Sequence, residues 1–203
     1  MCLRAVVVLI TATVLSFPFS GCLGRSKVSR SYVLDPMPAE GPSTTAAVTG
    51  PLVGIERVSV PGWLDRVQVT GRAASGAVVT DEYSRWAEPL PRGIQRVVAE
   101  NLVLLLPDRR VVTAPFPPRD AVAHRVELTI LEASRQTDGT VLVEARWDVV
   151  DQAGDVLAKR RSTHRSSPSE LGAAGAVAGL NGSLALLSRE IADVLRPLPP
   201  PSR

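Results

Sequence analysis

An α+β fold is what the sequence predicts: a mostly antiparallel sheet with two helices packed on one face, forming a single domain. Apolar residues recur at helical spacing over 91–106 and again over 169–195. They alternate with polar residues along Val141, Val143, Ala145, Trp147 and Val149, which is the period of a half-buried strand. The length sets the scale, because 203 residues with 45% apolar and 21% charged content suffice for one core and are short for two domains. Aromatic residues are only 4% of the chain, so Val, Leu and Ala must build most of that core.

Residues 1–21 read as an export signal. Arg4 supplies a positive charge ahead of an uncharged run over 5–19. That run is short for a membrane span, which needs about twenty apolar residues, and suits a signal core. Phe19-Ser20-Gly21-Cys22 follows. Two small residues before a cysteine resemble the lipobox of bacterial lipoproteins, in which the thiol is acylated, although that pattern prefers leucine where Phe19 stands. Cys2 leaves with the signal, so Cys22 has no internal disulfide partner and is expected to be the lipid attachment point. Leu23 and Gly24 stand where inner-membrane lipoproteins carry a retaining aspartate, which points to the outer membrane. The segment 22–50 is then anchor, tether, first strand and polar loop. The tether at 24–30 reaches at most about 25 Å; 31–34 reads as a strand, and 35–50 is rich in Pro, Gly, Ser and Thr.

The domain itself is expected over 51–196. Strands at 52–60 and 67–72 flank a turn at Pro61-Gly62, and a third covers 77–83. Pro89 and Pro91 open the first helix and Pro107 stops it, with Ile94, Val97, Val98, Leu102 and Leu105 on one face. A short strand follows at 110–114, and Val126, Leu128 and Ile130 mark another. Gly154 turns the cleanly alternating strand into 156–164 as a hairpin. Val177, Leu180, Leu184, Leu187, Ile191 and Leu195 form the apolar stripe of the last helix. Gly172, Gly175, Gly179 and Gly182 recur through its first half, where each glycine costs about 0.5–1 kcal/mol against alanine. Either they allow a close approach to a sheet or another subunit, or that half is irregular. Residues 197–203 form a proline-rich tail.

The same residues argue against several function classes. The net charge of +3 is small, and no basic run is interleaved with aromatics, so a nucleic-acid partner is not expected. His124 and His164 fall at strand ends outside any motif, where surface or strand-end roles are expected. A zinc site would then need an unusual carboxylate-rich set. No Gly-x-Ser-x-Gly elbow, P-loop or Gly-x-Gly-x-x-Gly occurs. Asp81 and Glu82 are adjacent on a strand, so they point to opposite faces and make no acid–base pair. No enzyme, cofactor or metal centre is expected. Trp86 and Trp147 are expected in the core. Trp63 belongs either to the core or to an exposed turn, where with Leu64 and Arg85 it would serve a protein interface. Arg85 and Glu88 would pair or mark the start of the helix.

Several segments, taken in order, resemble the ABC-type transport auxiliary lipoprotein family, the PqiC-like proteins. They are Tyr32-Val33-Leu34, Val53-Gly54-Ile55, Val58-Ser59-Val60-Pro61, and Trp63-Leu64-Asp65-Arg66 with Val67-Gln68-Val69. Arg85-Trp86-Ala87-Glu88-Pro89-Leu90 leads to Asn101-Leu102, and Leu187-Ser188-Arg189-Glu190-Ile191-Ala192 completes the set across 31–195. The resemblance implies a non-enzymatic partner of an MCE-type periplasmic protein and its ABC transporter and permease, systems that move lipids between membranes. It also implies docking on a periplasmic tunnel and self-association into a ring. Two other readings stay open: an assembly lipoprotein of another envelope complex, or a direct binder of lipid or a small ligand, which requires an apolar cavity in the domain.

Overall fold

The computed structural model describes residues 28–39, 50–73, 75–117, 121–136 and 138–199. Cys22, the signal-like run before it and most of the polar loop lie outside the described residues. The elements are β1 (Arg30–Tyr32), β2 (Val53–Ile55), β3 (Gln68–Arg72), β4 (Val78–Trp86), α1 (Leu90–Leu105), β5 (Val111–Thr113), β6 (His124–Arg135), β7 (Val141–Asp151), β8 (Val156–Ser166) and α2 (Gly172–Leu195). The α+β class holds, with the strands divided between two sheets. The larger runs β5-β2-β6-β7-β8, antiparallel through β6, β7 and β8 and parallel where β2 meets β5 and β6. The smaller runs β1-β4-β3, with β1 parallel and β3 antiparallel to β4. The division and the parallel pairs are not visible in the sequence pattern, because β1, β2 and β5 have three residues each and carry no register information.

Long strands behave as their pattern requires. On β7, Val141, Val143, Ala145, Trp147 and Val149 are buried toward the helices. Its opposite face is charged, and there Arg161 pairs with Glu144 at 2.6 Å and Lys159 with Asp148 at 3.3 Å. Gly139 and Gly154 take positive φ in the turns at the two ends of β7, a conformation a Cβ would strain. Trp147 is 0% exposed, and its indole N–H donates to Ser162 Oγ at 2.9 Å, so the largest core side chain leaves no donor unpaired.

Both helices cover that buried face. α1 buries Leu90, Ile94, Val97, Val98 and Leu102, and its Gln95 Nε2 donates to the carbonyls of Ile55 and Glu56, each at 3.1 Å, fixing the helix to the end of β2. α2 buries the whole stripe from Val177 to Leu195. A Cβ on Gly179 would overlap Cγ2 of Val141, and one on Gly182 would overlap Ser166 Oγ. Gly179 and Gly182 therefore serve close packing on β7 and β8, whereas Gly175 lies against the Glu170 carbonyl and Gly172 takes a positive φ where α2 begins. Ser183 Oγ completes the contact by donating to the Val141 carbonyl at 3.1 Å. Between the helices, Asn101 Nδ2 donates to Ser188 Oγ at 3.1 Å while its Oδ1 accepts the Met37 N–H at 2.8 Å.

His124 opens β6, the strand-end place expected of it, and it is buried there, only 3% exposed. Arg109 is buried nearby, where Nη2 donates to the carbonyls of Arg196 and Leu198 at 2.9 and 3.2 Å. That clamp holds the first residues of the tail against the domain. Burial, and after it the Arg109 charge, lowers the His124 pKa below its ordinary value, opposed by Asp151.

Two outcomes follow. Gly179→Ala should destabilise the protein by about 1–3 kcal/mol through overpacking, outweighing the roughly 1 kcal/mol helix-propensity gain, as a urea midpoint would read. A histidine with a lowered folded pKa binds fewer protons folded than unfolded. Stability should therefore fall as pH drops through the unfolded pKa of about 6.5 toward the folded value, then level off. His124→Gln should flatten that part of a stability–pH curve.

Candidate functional site

The small sheet stands beside the open end of the large one, and an apolar cleft of about 460 Å³ lies between them. Its walls come from three places. Leu64, Val69 and Val79 belong to or precede the small sheet, Ala133 and Val141 flank the turn between β6 and β7, and Ala176 and Leu180 lie on the first turns of α2. Trp86 and Leu90 contribute where β4 passes into α1. Trp86 is half-buried, and its buried Nε1 has no hydrogen-bond partner among the described residues. Polar groups gather at one end. Arg72 closes β3 and bonds Glu132 Oε2 at 3.2 Å, which brings it to the end of β6 where Arg135 stands. Asp81 also borders the cleft, with its carboxylate accepting the Tyr83 N–H at 3.0 Å and the Ser84 hydroxyl at 2.9 Å.

What holds the small sheet in place is an arginine on α1. Arg96 Nη2 donates to Glu88 Oε1 at 2.7 Å and to the Leu34 carbonyl at 2.8 Å, while Nη1 reaches Glu100 at 3.2 Å. The bond to Glu88 is the largest cause of a raised Arg96 pKa, so the guanidinium stays charged. Leu34 follows β1, so a single side chain links that strand's exit, the connection from β4 and the helix. Glu88 thus pairs with Arg96 and not with Arg85, and it stands at the entry to the helix, the other role expected of it.

The three residues expected at an interface do not share a surface. Leu64 is 2% exposed and lines the cleft, so it cannot contact a partner from the outside; its position after Pro61-Gly62 turns it inward as part of the core. Trp63 is half-buried and packs against the core, its carbonyl accepting from Thr70 Oγ1 at 3.3 Å. Arg85 is exposed on β4, on the opposite face from Trp86. Sequence reasoning missed the apolar residues left exposed in this part of the domain: Val79 on the cleft wall at 59%, Val78 beside it on β4 at 45%, and Leu171 just before α2 at 81%. A strand reading Val-Val-Thr-Asp-Glu-Tyr shows no clean alternation, so its exposed side could not be read. His164 Nε2 lies 3.0 Å from Glu190 Oε2 and ties β8 to α2. Among the described residues no three His, Cys, Asp or Glu side chains converge as metal ligands, and no helix is long and apolar enough to cross a membrane.

Comparison with known proteins decides the class. Residues 32–192 match the family described as the ABC-type transport auxiliary lipoprotein component. The chain belongs to this family. It is 24% identical over 135 residues to the intermembrane transport lipoprotein PqiC of Escherichia coli K12, covering 66% of this chain and 70% of that one. Among solved structures, an uncharacterised protein is 22% identical with a TM-score of 0.69, covering 83% of this chain and 99% of the other. A protein from Xanthomonas campestris is 13% identical with a TM-score of 0.64, covering 81% and 93%. Those two likenesses establish the fold. Within the family member described here, Arg96→Leu should lower stability by about 1 kcal/mol in denaturant unfolding, discounted for its partial exposure. The loss should come with faster hydrogen exchange at Ala87, whose N–H donates to the Tyr32 carbonyl at 2.8 Å.

Proposed function

We propose that this chain is an outer-membrane lipoprotein facing the periplasm, acylated at Cys22 once residues 1–21 are removed. Its role is non-catalytic: it is the docking subunit of an MCE-type ABC system that moves lipids between membranes. The family match over residues 32–192 carries this reading. The name of the Escherichia coli relative, an intermembrane transport lipoprotein, supports the transport class. Its partners are an MCE-type periplasmic protein with its transporter and permease, and further copies of the chain in a ring. The apolar residues exposed around β4 support a docking role, since contiguous exposed apolar surface marks interaction sites and its burial returns about 25 cal/mol per Å². Val78 on β4, Leu171 before α2, Arg85 and the exposed part of Trp63 are the residues proposed to meet the partner.

The test is recovery of partners crosslinked to the tagged full chain in intact envelopes. An MCE-type protein and its permease should be recovered with the wild type and lost with Val78→Asp. Cys22→Ser should release the chain from the membrane fraction. A secretion or wall-maintenance complex in place of the transport proteins would overturn the transport assignment while leaving the anchor standing.

A further inference from the structure

We propose that the outer edge of β8 takes an extended, acidic segment of a partner protein as an added strand of the large sheet. β8 ends the order β5-β2-β6-β7-β8 and pairs with β7 on one side only. Every second residue of such a strand turns its N–H and carbonyl away from its neighbour, so β8 presents a row of these groups outward. Among the described residues no other backbone bonds to them. A bulge at Leu157 interrupts the start of β8, but from Ala158 to Ser166 its register with β7 is unbroken. Natural edges are commonly closed by proline, a bulge or short length, and this run has none of these.

Charge selects the occupant. Val156–Ser166 carries Lys159, Arg160, Arg161 and Arg165, all exposed, and no acidic residue. Lys159 and Arg161 are engaged by Asp148 and Glu144 on β7. Arg160 and Arg165 make no ion pair among the described residues, and Asp138 senses the Arg165 charge only from beyond ion-pair distance. Arg160 stands opposite Trp147, on the helix-covered side, whereas Arg165 stands opposite Leu142 on the open side. A strand laid along β8 therefore meets one unpaired cation on each of its faces, roughly 16 Å apart along the strand. A segment with carboxylates at that spacing complements both. A second copy of β8 would bring only further cations to the edge, and like charges set opposite each other destabilise a ladder. Addition at the edge leaves the ion-paired face of the large sheet uncovered. The contact is separate from the docking proposed on the small sheet and does not require the transport reading.

Amide hydrogen exchange of the full chain in detergent micelles, read by mass spectrometry, tests it. The probe is a blocked nine-residue peptide of Thr and Val with Glu at its second and seventh positions. In an antiparallel strand along 158–166 these fall opposite Arg165 and Arg160. The peptide should slow exchange over 158–166 about tenfold at saturation and leave β6 unchanged. Of two versions N-methylated at alternate residues, one frame should abolish the effect and the other keep it, since only one set of amides faces β8. Arg160→Glu with Arg165→Glu, both exposed positions, should weaken the peptide about fivefold. A peptide with Lys in place of its two Glu should restore binding to that variant. Absence of protection overturns the proposal, as does equal protection of the wild type by the Lys peptide or equal behaviour of the two methylated frames. Protection of 158–166 that grows with protein concentration alone marks pairing between copies and overturns it too.

Discussion

The approach of α2 to β7 and β8 fixes most of what surrounds it. A helix carrying side chains at every position would stand off the sheet, but Gly179 and Gly182 let the backbone come down onto Val141 and Ser166. Ser183 then bonds the Val141 carbonyl directly. That contact sets the height and direction of the first turns of α2, and so the positions of Ala176 and Leu180 as one wall of the cleft. Each glycine sacrifices helix propensity of about 1 kcal/mol. The buried stripe from Val177 to Leu195 offsets it, at about 1.5–3 kcal/mol for each fully buried large apolar side chain.

The small sheet depends on a different kind of force. It has few apolar residues directed into the shared core, and its long strand β4 is exposed over most of its length. Directional polar bonds hold it instead: Arg96 to Glu88 and Leu34 on one side, and Arg72 to Glu132 on the other. Met37 and Asp35, just beyond β1, are held in turn by Asn101 and Asn181 on the two helices. Polar ties fix position without filling space, which is why a cleft persists where the two sheets meet. An apolar seam would have closed it.

Legibility followed element length. The periodicity of α1, α2, β6 and β7 extends over enough residues to declare both type and buried face, and the hairpin from β7 to β8 follows from Gly154. Three-residue strands such as β1 and β2 owe their existence to partners far away in sequence, so the split into two sheets could not be read locally. His124 shows the same limit: its place at a strand end was legible, whereas its burial was not. The motif around Trp86 identified the family, while the cleft that Trp86 borders was hidden, because its walls come from separate elements. Leu64 illustrates the cost of reading a turn as surface, since the residue after a turn can point inward as readily as outward.

The exposed apolar residues are unevenly placed over the domain. Val78 and Val79 are exposed on β4 and Leu171 just before α2, whereas the open face of the large sheet carries ion pairs between Lys159 and Asp148 and between Arg161 and Glu144. Charged faces resist burial because desolvating each ion costs several kcal/mol, which favours the small sheet for the proposed docking. β1, the first described strand, is the edge of that sheet beside β4, so the proposed anchor and the proposed docking face belong to the same part of the domain. A short tether would bring that part nearest the membrane, leaving the ion-paired face of the large sheet as the one turned to solvent.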